Sequence, residues 1–434
     1  MGAGRIKVPR GTFDILGEQA EARGALEARA RAILAPAGYE RIETPVLEST
    51  ELFARAVGES TDIVSKEMFT LQDGSARSLT LRPEGTAPIC RAYVEHGMRK
   101  RRAPVKLWYL SSFFRSERAQ AGRYRQFWQV GAEALGSDDP GLDAESIALL
   151  ATLLSQVGVR AVRLRLSSLG SADSRAEYRA RLQEYLREHE AALSPEVRSR
   201  IELNPLRAFD SDDRETQRVM QGAPRLLEHL SRQDAEHFAT VRALLDEASI
   251  TYEVDSTLVR GLDYYTRTVF EFTSDALGAQ SGVAGGGRYD GLVEALGGPP
   301  TPGVGWAAGV ERMLLAGDGQ PPPASSVELF IALADASGER SDGRSPAPAA
   351  VTEGTRKAAF ALLSAARSAG LVAQMELAGR SLKGQLGHAN ALRARYVAIV
   401  EDGETVLRDM QEGEQQRIST DTVVHTVLRG LRDL

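Results

Sequence analysis

Nine consecutive residues, Leu258 to Thr266 (LVRGLDYYT), place an arginine, a carboxylate and two adjacent tyrosines side by side. An arginine is a fixed cation whose fork fits carboxylate or phosphate oxygens. A tyrosine pair offers flat apolar faces with polar tips, suited to a planar polar ring. A second dense stretch, Ala284 to Leu292 (AGGGRYDGL), follows, and its glycines let backbone approach a ligand closely. Together the two stretches describe a pocket for a small zwitterion beside an anion. LVRGLDYYT alone reads equally well as a tyrosine-rich core strand ending in a glycine turn.

Three further stretches carry groups of the same chemistry. In Ser78 to Thr86 (SLTLRPEGT), Ser78, Thr80 and Arg82 alternate with Leu79 and Leu81, so a strand is predicted. Pro83 and Gly85 end it and present Glu84 and Thr86, acceptors for an ammonium group, although a plain solvated turn has the same composition. Val105 to Leu135 reads as two strands around the loop RAQAGRYR, a hairpin with a cationic tip. Period two puts Gln129, Gly131 and Glu133 on one face of its return strand. Arg115 and Arg123 suit phosphates, and Phe127 offers a ring to stack on a base. In Gly303 to Leu315 (GVGWAAGVERMLL) a glycine-bearing strand enters a helix holding Glu311 and Arg312. Its GxGxxxG spacing, with no βαβ pattern after it, is not a dinucleotide fingerprint. No GxxxxGK[ST] occurs, so ATP would be bound by arginines on an antiparallel sheet and not by a P-loop.

The positioning elements are legible at coarse grain. A helix is predicted over Glu18 to Leu34, ended by Pro36 and Gly38, then one proline-interrupted strand over Tyr39 to Glu48. Helices are predicted over Ala87 to Gly97 and from Asp138 to Leu154, and strands over Val162 to Leu166, Ile250 to Asp255 and Thr268 to Phe272. Residues 171–249, rich in Arg, Glu, Leu and Ala at helical spacing and broken at Pro195, Pro205 and Pro224, read as a helical insertion. A Gly- and Pro-rich linker at Gly317 to Ser326 divides the chain, giving domains over 1–325 and 326–434. The second alternates strand and helix through YVAIVED, a small α/β domain with a surface insert at Ser337 to Pro348.

These motifs, in collinear order over nearly the whole chain, resemble the histidyl-tRNA synthetase family. LVRGLDYYT and AGGGRYDGL resemble the pair of signatures peculiar to it. The helix, strand and proline at the start resemble motif 1 of the class II aminoacyl-tRNA synthetases, which builds a homodimer interface in that family. Arg115 to Phe127 resembles motif 2, and GVGWAAGVERMLL resembles motif 3. SLKGQLGHANALRARYVAIV resembles the C-terminal anticodon-binding domain. The resemblance implies an α+β fold: an antiparallel catalytic sheet of six or seven strands with flanking helices, the helical insertion and the C-terminal α/β domain.

It also implies roles. Arg260 and Arg115 clamp the reacting carboxylate and α-phosphate oxygens, with Arg260 the histidine-specific catalytic group. Glu84, Gly85, Thr86 and Gln129 hold the histidine backbone, while Glu133, Tyr264 and Tyr265 surround imidazole. Arg115, Glu117, Arg123, Phe127 and Arg312 bind ATP with Mg²⁺, and Arg118 and Gln120 touch the tRNA acceptor end. Ala119 stands where the family carries proline, and Trp128 where a smaller ring is usual; alternation points Trp128 away from Gln129. The alternative that binds histidine without charging tRNA is the regulatory subunit of ATP phosphoribosyltransferase. It typically lacks the C-terminal domain and degrades the ATP motifs, both of which this sequence carries.

Composition sets limits on these readings. With 434 residues the chain has room for two or three domains, and a net charge of -6 excludes a bulk polyanion binder. Four successive cations, Arg99 to Arg102, form a local basic run that is ordinarily a solvated loop. A single cysteine, Cys90, excludes an intrachain disulfide, and six scattered histidines give no zinc spacing. There is no apolar run of bilayer length and no apolar signal core at the N-terminus, which points to a cytoplasmic soluble enzyme.

Overall fold

Helix α1 (Glu18–Leu34) buries Leu26, Ala30 and Leu34 along one face and opens the chain's computed structural model. The structure describes residues 6–58, 61, 63–117, 122–258, 262–278, 281–317, 327–334, 351–401 and 404–432. Two compact units result, Met1–Pro322 and Pro323–Leu434. The surface insert predicted at Ser337 to Pro348 lies outside the described residues.

After α1 come β1 (Glu40–Arg41), β2 (Leu47–Ser49), α2 (Thr50–Val57), β3 (Phe69–Gln72), β4 (Ser78–Leu81) and α3 (Thr86–Glu95). The single strand predicted over Tyr39 to Glu48 is therefore two. Pro45 lacks an N–H, and the chain changes sheet there. The first piece, β1, pairs with an edge of the main sheet, while β2 joins β4 and β3 in a small antiparallel sheet.

The central elements are β5 (Val105–Phe114), β6 (Gln126–Leu135), α4 (Pro140–Val157) and β7 (Val162–Ser168). Helix α4 starts where Pro140 stands in the first turn and Asp139 accepts from the Gly141 N–H at 2.7 Å, and left-handed Gly158 ends it. The insertion follows as α5 (Ala172–Glu188), α6 (Pro195–Arg200), α7 (Arg214–Gln221) and α8 (Arg232–Glu247). Its helices are capped by the side chains of Ser171, Ser194, Asp213 and Ser231. Pro195, read as a break, is the first residue of α6, where a missing N–H costs nothing. The unit closes with β8 (Glu253–Val254), β9 (Thr266–Ser274), β10 (Gly282–Arg288), α9 (Leu292–Ala295), β11 (Gly303–Gly309) and α10 (Val310–Ala316).

The main sheet has the order β1-β5-β6-β11-β10-β9-β7-β8. Its six inner strands pair antiparallel, and the two-residue edges β1 and β8 add in parallel to make eight. Alternation splits the side chains between two faces. Trp108, Val130, Ala132 and Ala134 pack toward α1, α4 and α8. Leu107, Tyr109 and Phe113 pack on the opposite face with residues of α2, α3 and α9.

The second unit runs β12 (Leu329–Leu333), α11 (Glu353–Ser368), β13 (Ala373–Met375), α12 (Leu382–Ala391), β14 (Tyr396–Val400), β15 (Thr405–Asp409), β16 (Gln415–Ile418) and α13 (Val423–Arg432). Its mixed sheet has the order β13-β12-β14-β15-β16, parallel through β14 and antiparallel beyond. Leu329, Ile331 and Leu333 face α11 and α13, while Phe330 and Ala332 face α12.

Candidate active site

The β5–β6 register sets Leu107 opposite Glu133, Tyr109 opposite Gly131 and Ser111 opposite Gln129. These pairs lie on the sheet face away from α1. Tyr109 fits there because Gly131 has no side chain: a Cβ at that position would sit 2.2 Å from the Tyr109 Cζ. Burial, with the Glu133 and Glu84 charges, pushes the Tyr109 phenol well up, so it stays protonated.

Around Tyr109 gathers a cluster of carboxyls and hydroxyls. Glu84, at the turn between β4 and α3, accepts from the amides of Thr86 at 2.7 Å and Ala87 at 3.0 Å. The Thr86 hydroxyl donates to Glu133 Oε1 at 2.8 Å, and the Tyr289 hydroxyl donates to Oε2 at 2.5 Å. Glu133 has 0 % exposure, and burial pushes its pKa up to about 8 against the opposing pull of those two hydroxyls. Gly305 lies opposite it on β11, where a Cβ would stand 1.8 Å from Oε2. The Tyr264 ring meets Tyr289 edge-on at 5.8 Å and Tyr265 at 4.8 Å between centroids.

A cationic cluster adjoins. Arg115 donates from Nε to the Pro83 carbonyl at 3.0 Å and lies over the Phe127 ring at 5.4 Å. Glu117 stands between Arg115, at 3.8 Å, and Arg123, at 3.2 Å. Arg312, in the helix after the last strand, donates to the carbonyls of Gly122 and Gly282. Burial and the Arg123 charge pull its pKa down. Glu311 also lines the cleft, where it accepts from Arg23 and the Trp128 amide. Trp128 packs under the Arg23 guanidinium at 4.7 Å, away from the site, as alternation required.

The two clusters share one cleft of about 520 Å³. It brings together Glu84, Gly85, Thr86, Gln129, Tyr264 and Tyr265 with Arg115, Glu117, Arg123, Phe127 and Arg312. Glu133 lies one layer behind the wall. Arg260, Arg118 and Gln120 lie outside the described residues. Sequence reasoning missed Tyr109, Tyr289, Glu271 and Arg207 as cleft residues. Cross-strand register would have found Tyr109. Arg207 comes from the insertion, and no local pattern announces its return to the cleft.

An antiparallel sheet of this order, with arginines from its long hairpin and from the helix after its last strand facing one cleft, defines a class II aminoacyl-tRNA synthetase catalytic unit. The model of the histidyl-tRNA synthetase family matches residues 11–313. The histidine–tRNA ligase of Halorhodospira halophila is 45% identical over 434 residues, covering 98% of each chain. That of Desulforamulus reducens is 44% identical over 419 residues, covering 95% of this chain and 96% of its own. The crystal structure of apo S. aureus histidyl-tRNA synthetase matches with a TM-score of 0.79 at 32% identity, covering 98% of this chain and all of that one. The chain belongs to the histidyl-tRNA synthetase family.

Proposed function

We propose that the chain attaches histidine to histidine tRNA in two steps within this cleft. A histidine carboxylate oxygen attacks the α-phosphorus of ATP, and the bond to pyrophosphate breaks, leaving histidyl-adenylate. A hydroxyl of the tRNA's terminal adenosine then attacks the histidyl carbonyl, and AMP leaves. The observation that carries this reading is the cleft itself: a buried carboxyl–tyrosine cluster adjoins four arginines, Arg115, Arg123, Arg207 and Arg312, that face one space. Such chemistry needs positioning and charge neutralisation more than a nucleophilic side chain.

Arg115 meets the α-phosphate, Arg123 and Arg312 the outer phosphates, and Phe127 the adenine, with Glu117 holding the arginines in place. Glu84, Gly85, Thr86 and Gln129 hold the amino acid backbone. Glu133, behind the wall, acts on the imidazole through the Thr86 and Tyr289 hydroxyls that it holds, with Tyr264 and Tyr265 enclosing the ring. Glu117 and Glu271, wall carboxylates of the kind that suit Mg²⁺ beside phosphates, would hold the ion that accompanies ATP, which would supply further charge neutralisation there. Arg260 completes the clamp on the reacting oxygens. Arg118 and Gln120 meet the acceptor end, and the unit from Pro323 binds the anticodon. A homodimer working in the cytoplasm completes the reading.

ATP–pyrophosphate exchange tests the first step. Exchange is expected to saturate with histidine and to fall by about 100-fold or more in Arg260→Ala, the range for losing one oxyanion-type donor. Histidine binding without exchange would favour the regulatory-subunit alternative instead.

A further inference from the structure

The helical insertion and the histidine-binding loop share one core. Leu258 and Tyr265 sit inside the hydrophobic cluster that Tyr178, Leu182 and Leu186 of α5 build, and Leu262 and Tyr264 pack against it. Polar contacts repeat the connection. Arg175, in the first turn of α5, donates from Nη1 to the Tyr265 carbonyl and, at 3.5 Å, to that of Asp263. Those carbonyls flank Tyr264. Asn204 of the insertion donates to Asp263 Oδ1 at 3.1 Å. Asp234 of α8 accepts from Arg267 Nε at 3.1 Å, just beyond the loop. By contrast, Leu262 to Tyr265 belongs to no strand, so side chains from outside the loop set its path.

We propose that Arg175 is a positioning residue for histidine recognition: by holding the carbonyls on both sides of Tyr264, it sets that ring against the amino acid and makes the insertion part of the histidine site. This rests on the histidine-activating reading above. A guanidinium bridging two carbonyls constrains the backbone between them more tightly than one contact does. Displacing α5 would turn Tyr264, and histidine that orders Tyr264 would stiffen α5 by the same coupling.

The test is ATP–pyrophosphate exchange by the full chain carrying Arg175→Met or Arg175→Lys. Removing a charged hydrogen-bond donor raises the histidine KM about tenfold, with the ATP KM within about twofold of wild type. Lysine, which keeps one donor, restores part of the loss. The rise in thermal midpoint caused by saturating histidine shrinks in Arg175→Met. An unchanged histidine KM, or equal rises in both KM values, overturns the proposal. Should Arg175→Met fail to fold, Asn204→Ala removes the second bridge to the loop, and no histidine-specific KM change in that variant overturns it equally. Wild-type protein without exchange overturns the activation reading and this inference together, whereas active wild type with an unaltered Arg175→Met overturns the inference alone.

Discussion

Glu133 shows what one residue's surroundings do to its chemistry. Its carboxyl has no exposed surface, and burial pushes its pKa up to about 8. A free glutamate titrates near roughly 4.3. Between those values the folded chain keeps a proton that the unfolded chain has released, so this group costs stability as pH rises and costs most above pH ~8. Glu133→Gln cannot ionise. Its thermal midpoint, compared with wild type across pH 5 to 9, is therefore expected to gain steadily toward the alkaline end. Parallel profiles would show that Glu133 does not titrate in this range. Alternation along β6 placed Gln129, Gly131 and Glu133 on one face from sequence alone. Depth was not legible, because it depends on Gly305 across the sheet leaving room and on the Tyr289 hydroxyl 156 residues away. Tyr289 lies within AGGGRYDGL, yet only the folded sheet assigns it to Glu133.

At the scale of elements, β10 is pinned to the start of α4. Arg288 and Asp143 are both 0 % exposed, and the guanidinium meets the carboxylate at 2.5 and 3.0 Å. It also donates to the Ser137 carbonyl at 2.9 Å and to Asp290 at 3.2 Å. Burial opposes the arginine's charge, but Asp143 and Asp290 outweigh it and hold its pKa up. Tyr289 follows directly in the chain and lines the cleft, so the pair fixes that part of the cleft wall. Arg288→Met leaves Asp143 buried without its cation and is expected to cost about 3–5 kcal/mol of stability. Denaturant unfolding measures this, and a loss under about 1 kcal/mol would show that water or His237, 3.5 Å from Asp143, takes over. Elements with strong local signals were legible. Helix α1 spans the predicted Glu18–Leu34, and Asp139–Pro140 opens α4. Elements made by partners were not. The Tyr39 to Glu48 stretch divides between two sheets, and Ile250 to Asp255 yields only Glu253–Val254, a length set by pairing with β7. The hairpin β15–β16 and helix α13 lie beyond YVAIVED, in a run too polar for its short alternation to stand out.

On the scale of the molecule, a chain of net charge -6 gathers four arginines of the described residues in one cleft. Its anion binding is local, set by the sheet, and not a property of composition. The family and the α+β class were legible because their motifs are collinear and each needs particular residues at strand ends. Register was not, since it is decided by pairs far apart in sequence, nor was the insertion's return to the cleft through Arg207. Transfer of labelled histidine to histidine tRNA by the full chain, with ATP and Mg²⁺, is the decisive measurement of whether this cleft charges tRNA. Charging is expected to depend on ATP, to approach one histidine per acceptor end and to ignore competing amino acids, because buried polar partners reject a side chain that leaves them unpaired. Histidine bound without transfer to tRNA, under conditions where the tRNA accepts histidine from another source, would contradict it.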